Sequence, residues 1–235
     1  MNEPGTPEKP VLLSARGLSA GYGSVAVLQD LDLEIRAGEV LALLGRNGAG
    51  KSTTAMALAG RLKPTAGTIE VAGRAVHGSS LSQRARRGTA YISQERCVFM
   101  GLSVRDNLRV GGVEPDEALE LFPELKPHLK RRVGLLSGGQ QQILAVARAL
   151  ARHPQIMISD ELSLGLAPMV VDRIFDVLTT AAQERGLGVL LIEQQVGKAL
   201  AVSDRTAVMR RGRIEITESS SALTDRMQEI SELYV

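Results

Sequence analysis

Residues 28–35, LQDLDLEI, alternate apolar and polar side chains, whereas VLALL at 40–44 is apolar throughout. Alternation marks a strand with one face in the core and one in water; an unbroken run of this length fits a strand covered on both faces. The first predicts an antiparallel sheet, and the second a parallel one. GRNGAGKST follows VLALL, and a helix is expected from about Ser52 to Arg61, which gives the order strand, glycine loop, helix. Short strands are expected at TIEV and AYIS between residues 64 and 94, with the arginine-rich SQRARRG between them. Ser103 and Asp106 resemble a capping box and EALELF follows Pro115, so the chain is expected to be helical to about Leu136.

A second series follows: a helix near 140–152, the strand IMIS, a helix from Pro168 to about Arg185 and the strand VLLIE at 189–193. Strands alternating with helices predict a mostly parallel sheet, so the fold class is α/β. TAVMRRGRIEIT reads as a hairpin turning at Arg211 and Gly212, and the last residues read as helix.

Composition narrows the function classes. At 235 residues the chain fits one large domain, or a core with a small appended subdomain. Aromatic residues are 3% and Trp is absent, so aliphatic packing must fill the core. Net charge is only +2; the basic clusters at Arg84, Arg86 and Arg87 and from Lys126 to Arg132 read as solvated surface, and no nucleic-acid partner is expected. The lone Cys97 excludes an internal disulfide, which suits a reducing cytosol. MNEPGTPEKP lacks the apolar centre of a secretory signal and reads as a flexible tail over 1–10. No apolar run reaches the roughly eighteen residues of a membrane span, so a membrane role would have to run through a partner.

Gly45, Gly48, Gly50, Lys51 and Ser52 satisfy G-x-x-x-x-G-K-[ST] between a buried strand and a helix. Glycines let the backbone wrap phosphate oxygens, Lys51 adds charge for the β- and γ-phosphates, and Ser52 offers a hydroxyl to Mg²⁺. The alternative is a glycine turn with an incidental lysine. IMIS ends in Asp160 and Glu161, and a strand parallel to VLALL would deliver both to the same carboxyl edge of the sheet. Mg²⁺ takes one or two carboxylates beside phosphate oxygens and water, so Asp160 is the metal-side acid and Glu161 the candidate general base. The alternative here is helix capping by Asp160 or Ser163.

LSGGQQQ at 136–142, followed by ILAVARALARHP, completes a set that resembles the ATP-binding-cassette (ABC) ATPases over almost the whole chain. The resemblance implies a P-loop NTPase cassette in one domain over 11–235, with a mixed, mostly parallel sheet, an antiparallel β-subdomain and an inserted helical subdomain at about 95–136. It implies ATP contacts at Gly45, Asn47, Gly48, Ala49, Gly50, Lys51, Ser52 and Thr53. Tyr22 would stack on adenine, with a core or turn tyrosine as the alternative. Ser137, Gly138, Gly139 and Gln140 would face the γ-phosphate held by a second subunit. Catalysis would involve Glu161, Lys51, Gln94 and Gln194, and Mg²⁺ would be held through Ser52, Gln94 and Asp160. Gln194 stands where most of the family has histidine; glutamine donates an amide hydrogen bond but neither carries charge nor shuttles a proton.

Within the family, SLGLAP, the glutamine after VLLIE, Ala167 in place of a common aspartate, AYISQERCVFMGLSVRDNL and LFPELK resemble ATPase subunits of branched-chain amino acid importers. Leu162 departs from the usual proline, Ser159 from an aliphatic residue, and the interval from Leu108 to Leu119 is short. Losing proline's fixed φ predicts a looser turn after Glu161. The resemblance implies a subunit that dimerises on ATP, with an identical or paralogous second cassette, and powers transmembrane permease subunits served by a solute-binding protein. It implies a cytoplasmic protein, peripheral on the cell membrane. The alternatives are a urea, amide or other small-solute importer, a non-transport cassette, and a weakly hydrolysing regulatory module.

Overall fold

The computed structural model describes residues 9–226. The expected flexible tail therefore lies outside the described residues apart from Lys9 and Pro10, as does the chain after Arg226.

β1 (Val11–Tyr22) and β2 (Val25–Arg36) form a long antiparallel hairpin, with Leu13 opposite Ile35 and Ala15 opposite Leu33. Leu31, Leu33 and Ile35 are buried while Asp32 is exposed, the period of two that DLDLEI carries; Asp30, at φ +52, shifts the register, so that both Gln29 and Asp30 are exposed between buried Leu28 and Leu31. β3 (Val40–Leu44) is buried at every position and leads through the glycine loop into α1 (Lys51–Ala59). β4 (Ala66–Val71) and β5 (Arg74–Ala75) complete a four-stranded antiparallel sheet in the order β2-β1-β4-β5.

α2 (Leu81–Arg86) starts on a capping box between Ser80 and Gln83 and corrects the solvated reading of the first arginine cluster. Arg86 and Arg87 are exposed, but Arg84 is buried at 1% exposure. Its guanidinium donates to Ala57 O at 2.9 Å, to Leu58 O at 2.5 Å and to Ser79 Oγ at 3.1 Å. The two carbonyls lie in the last turn of α1, where a cation also meets the negative end of the helix dipole. Burial pulls the Arg84 pKa down to about 10.

β6 (Thr89–Ile92) enters the main sheet, and the chain then turns to short helices: α3 (Val104–Val110), α4 (Pro115–Leu121) and two 3-10 turns over 123–128 and 133–135. Ser103 caps α3 as expected, accepting from the Asp106 N–H at 3.1 Å. α5 (Gly138–Leu150), β7 (Ile156–Asp160), α6 (Pro168–Arg185), β8 (Gly188–Ile192) and α7 (Val196–Val202) follow. β9 (Arg205–Arg210) and β10 (Arg213–Ser219) form the expected hairpin at Arg211 and Gly212, and α8 (Ser220–Thr224) ends the described chain.

The main sheet runs β10-β9-β3-β8-β7-β6, with every pair parallel except β10 against β9. Its core splits by face. Leu41, Leu43, Ile158 and Leu190 pack toward α1 and the antiparallel sheet; Met157, Val189 and Leu191 pack toward α5, α6 and the short helices through Leu144, Phe175 and Phe122. Both faces being covered explains the unbroken apolar runs, and each such leucine contributes about 1.5–3 kcal/mol by burial.

Candidate functional site

Parallel pairing brings the carboxyl ends of β3, β8 and β7 to one edge: Leu43 lies opposite Ile192, and Ile192 opposite Asp160. The glycine loop, residues 193–194 and residues 160–161 therefore leave the sheet side by side. Such edges are where open α/β sheets bind ligands.

The loop is shaped by close approach. Gly45 has φ +156, and a Cβ there would lie 2.4 Å from Met209 O. Asn47 and Gly48 form the exposed tip, while Ala49, Gly50 and Thr53 are buried where the loop enters α1. Gly50 caps α1 without any side-chain hydrogen bond, so the helix's first N–H groups have no side-chain acceptor at the cap. N–H groups at the positive end of a nine-residue helix, without a side-chain cap, suit an anion. Lys51 is buried, and its Nζ donates to Gly45 O at 2.6 Å and Arg46 O at 3.1 Å. Burial lowers its pKa, opposed by the charges of Glu161 and Asp160.

Ser52 Oγ donates to Asp160 Oδ1 at 3.1 Å, joining the first turn of α1 to the end of β7. Burial raises the Asp160 pKa, opposed by the Ser52 hydrogen bond. Among the described residues no group of three metal-binding side chains occurs, so a cation here needs oxygens from elsewhere. A hydroxyl beside one carboxylate is the hard-oxygen set that fits Mg²⁺ completed by phosphate and water. The capping alternative fails, because α6 begins at Pro168 with Ala167 at its cap.

Glu161 adopts φ +55, a left-handed conformation that non-glycine residues rarely take. Its N–H donates to Ile192 O at 2.9 Å. Gln194 Nε2 donates to Glu161 Oε1 at 2.7 Å, and Gln94 Nε2 to Glu161 Oε2 at 3.3 Å. The structure thus gathers three of the four expected catalytic residues around one carboxylate, with Lys51 on the adjoining loop.

The looser turn expected from Leu162 does not form. Leu162 is buried at 2% exposure in the same core cluster as Val171 and Leu191. The turn closes through Leu164 N–H to Glu161 O at 3.3 Å and Leu166 N–H to Ser163 O at 3.2 Å. A residue before proline is pushed toward extended backbone, and with leucine at 162 that restriction does not act on Glu161. Ser159, also buried, donates its hydroxyl to Leu190 O at 3.1 Å and so costs the strand no unsatisfied polar group.

Glu193 has no role assigned from the sequence. It is buried at 1% exposure, and its carboxylate accepts from Ser163 N–H at 3.1 Å and Ser163 Oγ at 2.5 Å. Burial pushes its pKa up, opposed by hydrogen bonds from Ser163 and the Gln194 backbone. An acid closing an apolar strand was the available signal, but its partner lies thirty residues away in sequence.

Ser137 caps α5 in a capping box: Gln140 N–H donates to Ser137 Oγ at 3.3 Å, and Ser137 N–H to Gln140 Oε1 at 3.0 Å. Gln140 Nε2 also lies 3.0 Å from His128 Nε2, so its side chain is engaged within its own neighbourhood. A Cβ on Gly138 would meet the Arg96 guanidinium at 2.9 Å, which explains the small residue there. Tyr22 is 48% exposed at the end of β1, directly before the turn to β2, so of the core and turn alternatives only the turn one remains; its hydroxyl lies 3.8 Å from Met56 Sδ.

Comparison with known proteins agrees with this geometry. The ABC transporter family profile matches residues 28–163. The high-affinity branched-chain amino acid transport ATP-binding protein BraG of Pseudomonas aeruginosa is 39% identical over 221 residues, covering 90% of this chain and 94% of that protein. A probable branched-chain amino acid transport ATP-binding protein, LivF of Archaeoglobus fulgidus, is 33% identical, covering 88% and 92%. A nucleotide-free cassette from an ABC transporter superposes with TM-score 0.87 at 21% identity, covering 96% of this chain and 99% of the other. A cassette solved as a dimer in a post-hydrolysis state with ADP and phosphate superposes with TM-score 0.79 at 23% identity, covering 88% and 98%.

Proposed function

Because this chain belongs to the ABC transporter family and is an ATP-hydrolysing cassette, we propose that it powers a membrane importer of branched-chain or related amino acids. The observation that carries the hydrolytic reading is the convergence of Ser52, Asp160, Glu161, Gln94 and Gln194 at one sheet edge. The solute class is supported by the likeness to BraG along nearly the full length of both chains.

In this reading residues 11–235 form one cassette, with the short helices at about 95–136 as its insert. ATP lies on the glycine loop with adenine against Tyr22. Its phosphates take the N–H groups of Gly48 to Thr53 and draw the Lys51 ammonium off the Gly45 and Arg46 carbonyls. Ser52 and Asp160 hold Mg²⁺, with Gln94 close by. When bound, Mg²⁺ neutralises charge on the phosphate oxygens. Glu161 accepts the proton of the attacking water, and Gln94 and Gln194 orient its carboxylate.

The N-terminus of α5, at Ser137 to Gly139, faces the γ-phosphate held by a second cassette, identical or paralogous. Phosphate at that interface holds two cassettes together and its loss lets them part. No helix among the described residues is long and apolar enough to cross a membrane. Contact with permease subunits uses the surface, and a cavity of about 640 Å³ lined by Leu81, Arg86, Phe99, Val110 and Arg148 is a candidate. In this reading the chain works at the cytoplasmic face of the cell membrane, with a solute-binding protein acting through the permease.

The test is to purify the chain with its membrane partners, reconstitute them in vesicles and measure ATP-driven solute uptake. Leucine uptake supports the reading. Uptake of urea or an amide instead replaces the solute, and no uptake with any solute argues against an importer.

A further inference from the structure

Glu193 is an acid placed where an apolar side chain would fill the core at less cost. Removing a carboxylate from water is unfavourable unless directed donors replace the water. Here they come from two chain segments that flank the site: Ser163 lies two residues after Glu161, and Gln194 directly follows Glu193. Ser163 donates to Glu193 through its N–H at 3.1 Å and its hydroxyl at 2.5 Å. Above this link, Gln194 Nε2 meets Glu161 Oε1 at 2.7 Å, and Glu161 N–H meets Ile192 O at 2.9 Å. The chain from Glu161 to Ser163, the chain from Glu193 to Gln194 and the two side-chain bonds form a closed ring. One side of that ring is buried and charge-assisted, and the other carries the Glu161 carboxylate.

We propose that Glu193 is a positioning residue for ATP hydrolysis: by gripping Ser163 it fixes the turn after Glu161 against the end of β8, and so sets the Glu161 carboxylate and the Gln194 amide in register. It does the work of a restraint on that turn where Leu162 supplies no ring to fix φ. The proposal rests on the reading of Glu161 as the general base. Ser163 and Glu193 act as one unit, because each has the other as its directed partner. Neither lies on the glycine loop, so their loss leaves the determinants of nucleotide affinity in place.

The test is steady-state ATP hydrolysis by the full chain for Ser163→Ala, Glu193→Ala, their double variant and Glu193→Gln, with thermal melting in parallel. Small misplacement of a reacting group costs up to about 10²-fold, so kcat is expected to fall on the order of 10- to 100-fold in either alanine variant while KM for ATP holds. The double variant is expected to be no worse than the poorer single one. Glu193→Gln keeps the shape and an acceptor, and is expected to restore most of kcat. Ser163→Ala removes only a hydroxyl and keeps the test open if Glu193→Ala does not fold. Unchanged kcat in a folded alanine variant, or kcat and KM worsening together with Tm, overturns the assignment. Glu161→Gln in the same assay separates the layers: if it is inactive while Ser163→Ala is fully active, only the Glu193 assignment falls. If Glu161→Gln is itself fully active, the base assignment falls and this one with it.

Discussion

Gln194 Nε2 donates to Glu161 Oε1 at 2.7 Å, so the residue that replaces the family's usual histidine is tied to the proposed base. An amide keeps this bond at any pH, whereas an imidazole would change its donor count on titration. Gln194→Ala is expected to lower kcat about tenfold, the loss of one hydrogen bond to a charged group. Gln194→His is expected to add a titration between about pH 6 and 7 to the kcat profile, which the unsubstituted chain lacks. Rate against pH for the three proteins checks both; a rise in kcat on removing Gln194 would show that it restrains Glu161 instead.

The Ser52–Asp160 bond at 3.1 Å leads to a metal prediction. Chelation of divalent cations is expected to abolish hydrolysis, and Asp160→Asn is expected to raise the Mg²⁺ concentration needed for half-maximal rate by tenfold or more, on the order of what one charge near a cation is worth. Titrating Mg²⁺ at fixed ATP reads this directly.

Stability should depend on pH through Glu193. Burial raises its pKa above the usual 4.5, so the folded chain holds this proton more tightly than the unfolded one. Such a group contributes its full share below its unfolded pKa and loses it as pH rises through the raised folded value. Glu193→Gln removes that dependence. The Tm of Glu193→Gln relative to the unsubstituted chain is therefore expected to climb as pH rises above 4.5, and a declining difference would contradict the cause given.

Arg84 predicts a structural cost. Arg84→Met keeps much of the volume but leaves the Ala57 and Leu58 carbonyls without the buried donor they have now. Ala57 O keeps the Gly60 N–H at 3.2 Å, so Leu58 O is the acceptor left unsatisfied; one such buried acceptor costs about 1–3 kcal/mol, and a loss of that size is expected in denaturant melts. Arg86→Met, on the exposed side of α2, is expected to change stability by less than about 0.5 kcal/mol.

The contrast between Arg84 and VLALL shows how far the sequence can be read. VLALL declares its burial because every residue is apolar, IMIS and VLLIE because all but the last residue of each is, and GRNGAGKS declares its loop because only glycine tolerates those backbone angles and approaches. Arg84 sits in a basic run indistinguishable from a solvated face; the two acceptors that tie it to α1 lie 26 and 27 residues earlier and are backbone carbonyls, which carry no residue identity. The Glu193–Ser163 link is hidden for the same reason, spanning 30 residues between two loops that only the parallel pairing of β7 and β8 brings together. Leu162 misled because proline's φ restraint is a local rule, while the turn is held by burial and by hydrogen bonds to a neighbouring strand end.

In the proposed mechanism Glu161 takes the proton from water attacking ATP bound on the 45–53 loop. The most direct measurement is steady-state hydrolysis by Glu161→Gln, with ATP affinity determined on the same sample. Loss of a general base costs about 10²–10⁴-fold, so turnover is expected to fall by that factor while ATP stays bound. Turnover close to that of the unsubstituted chain, with affinity intact, would contradict the account.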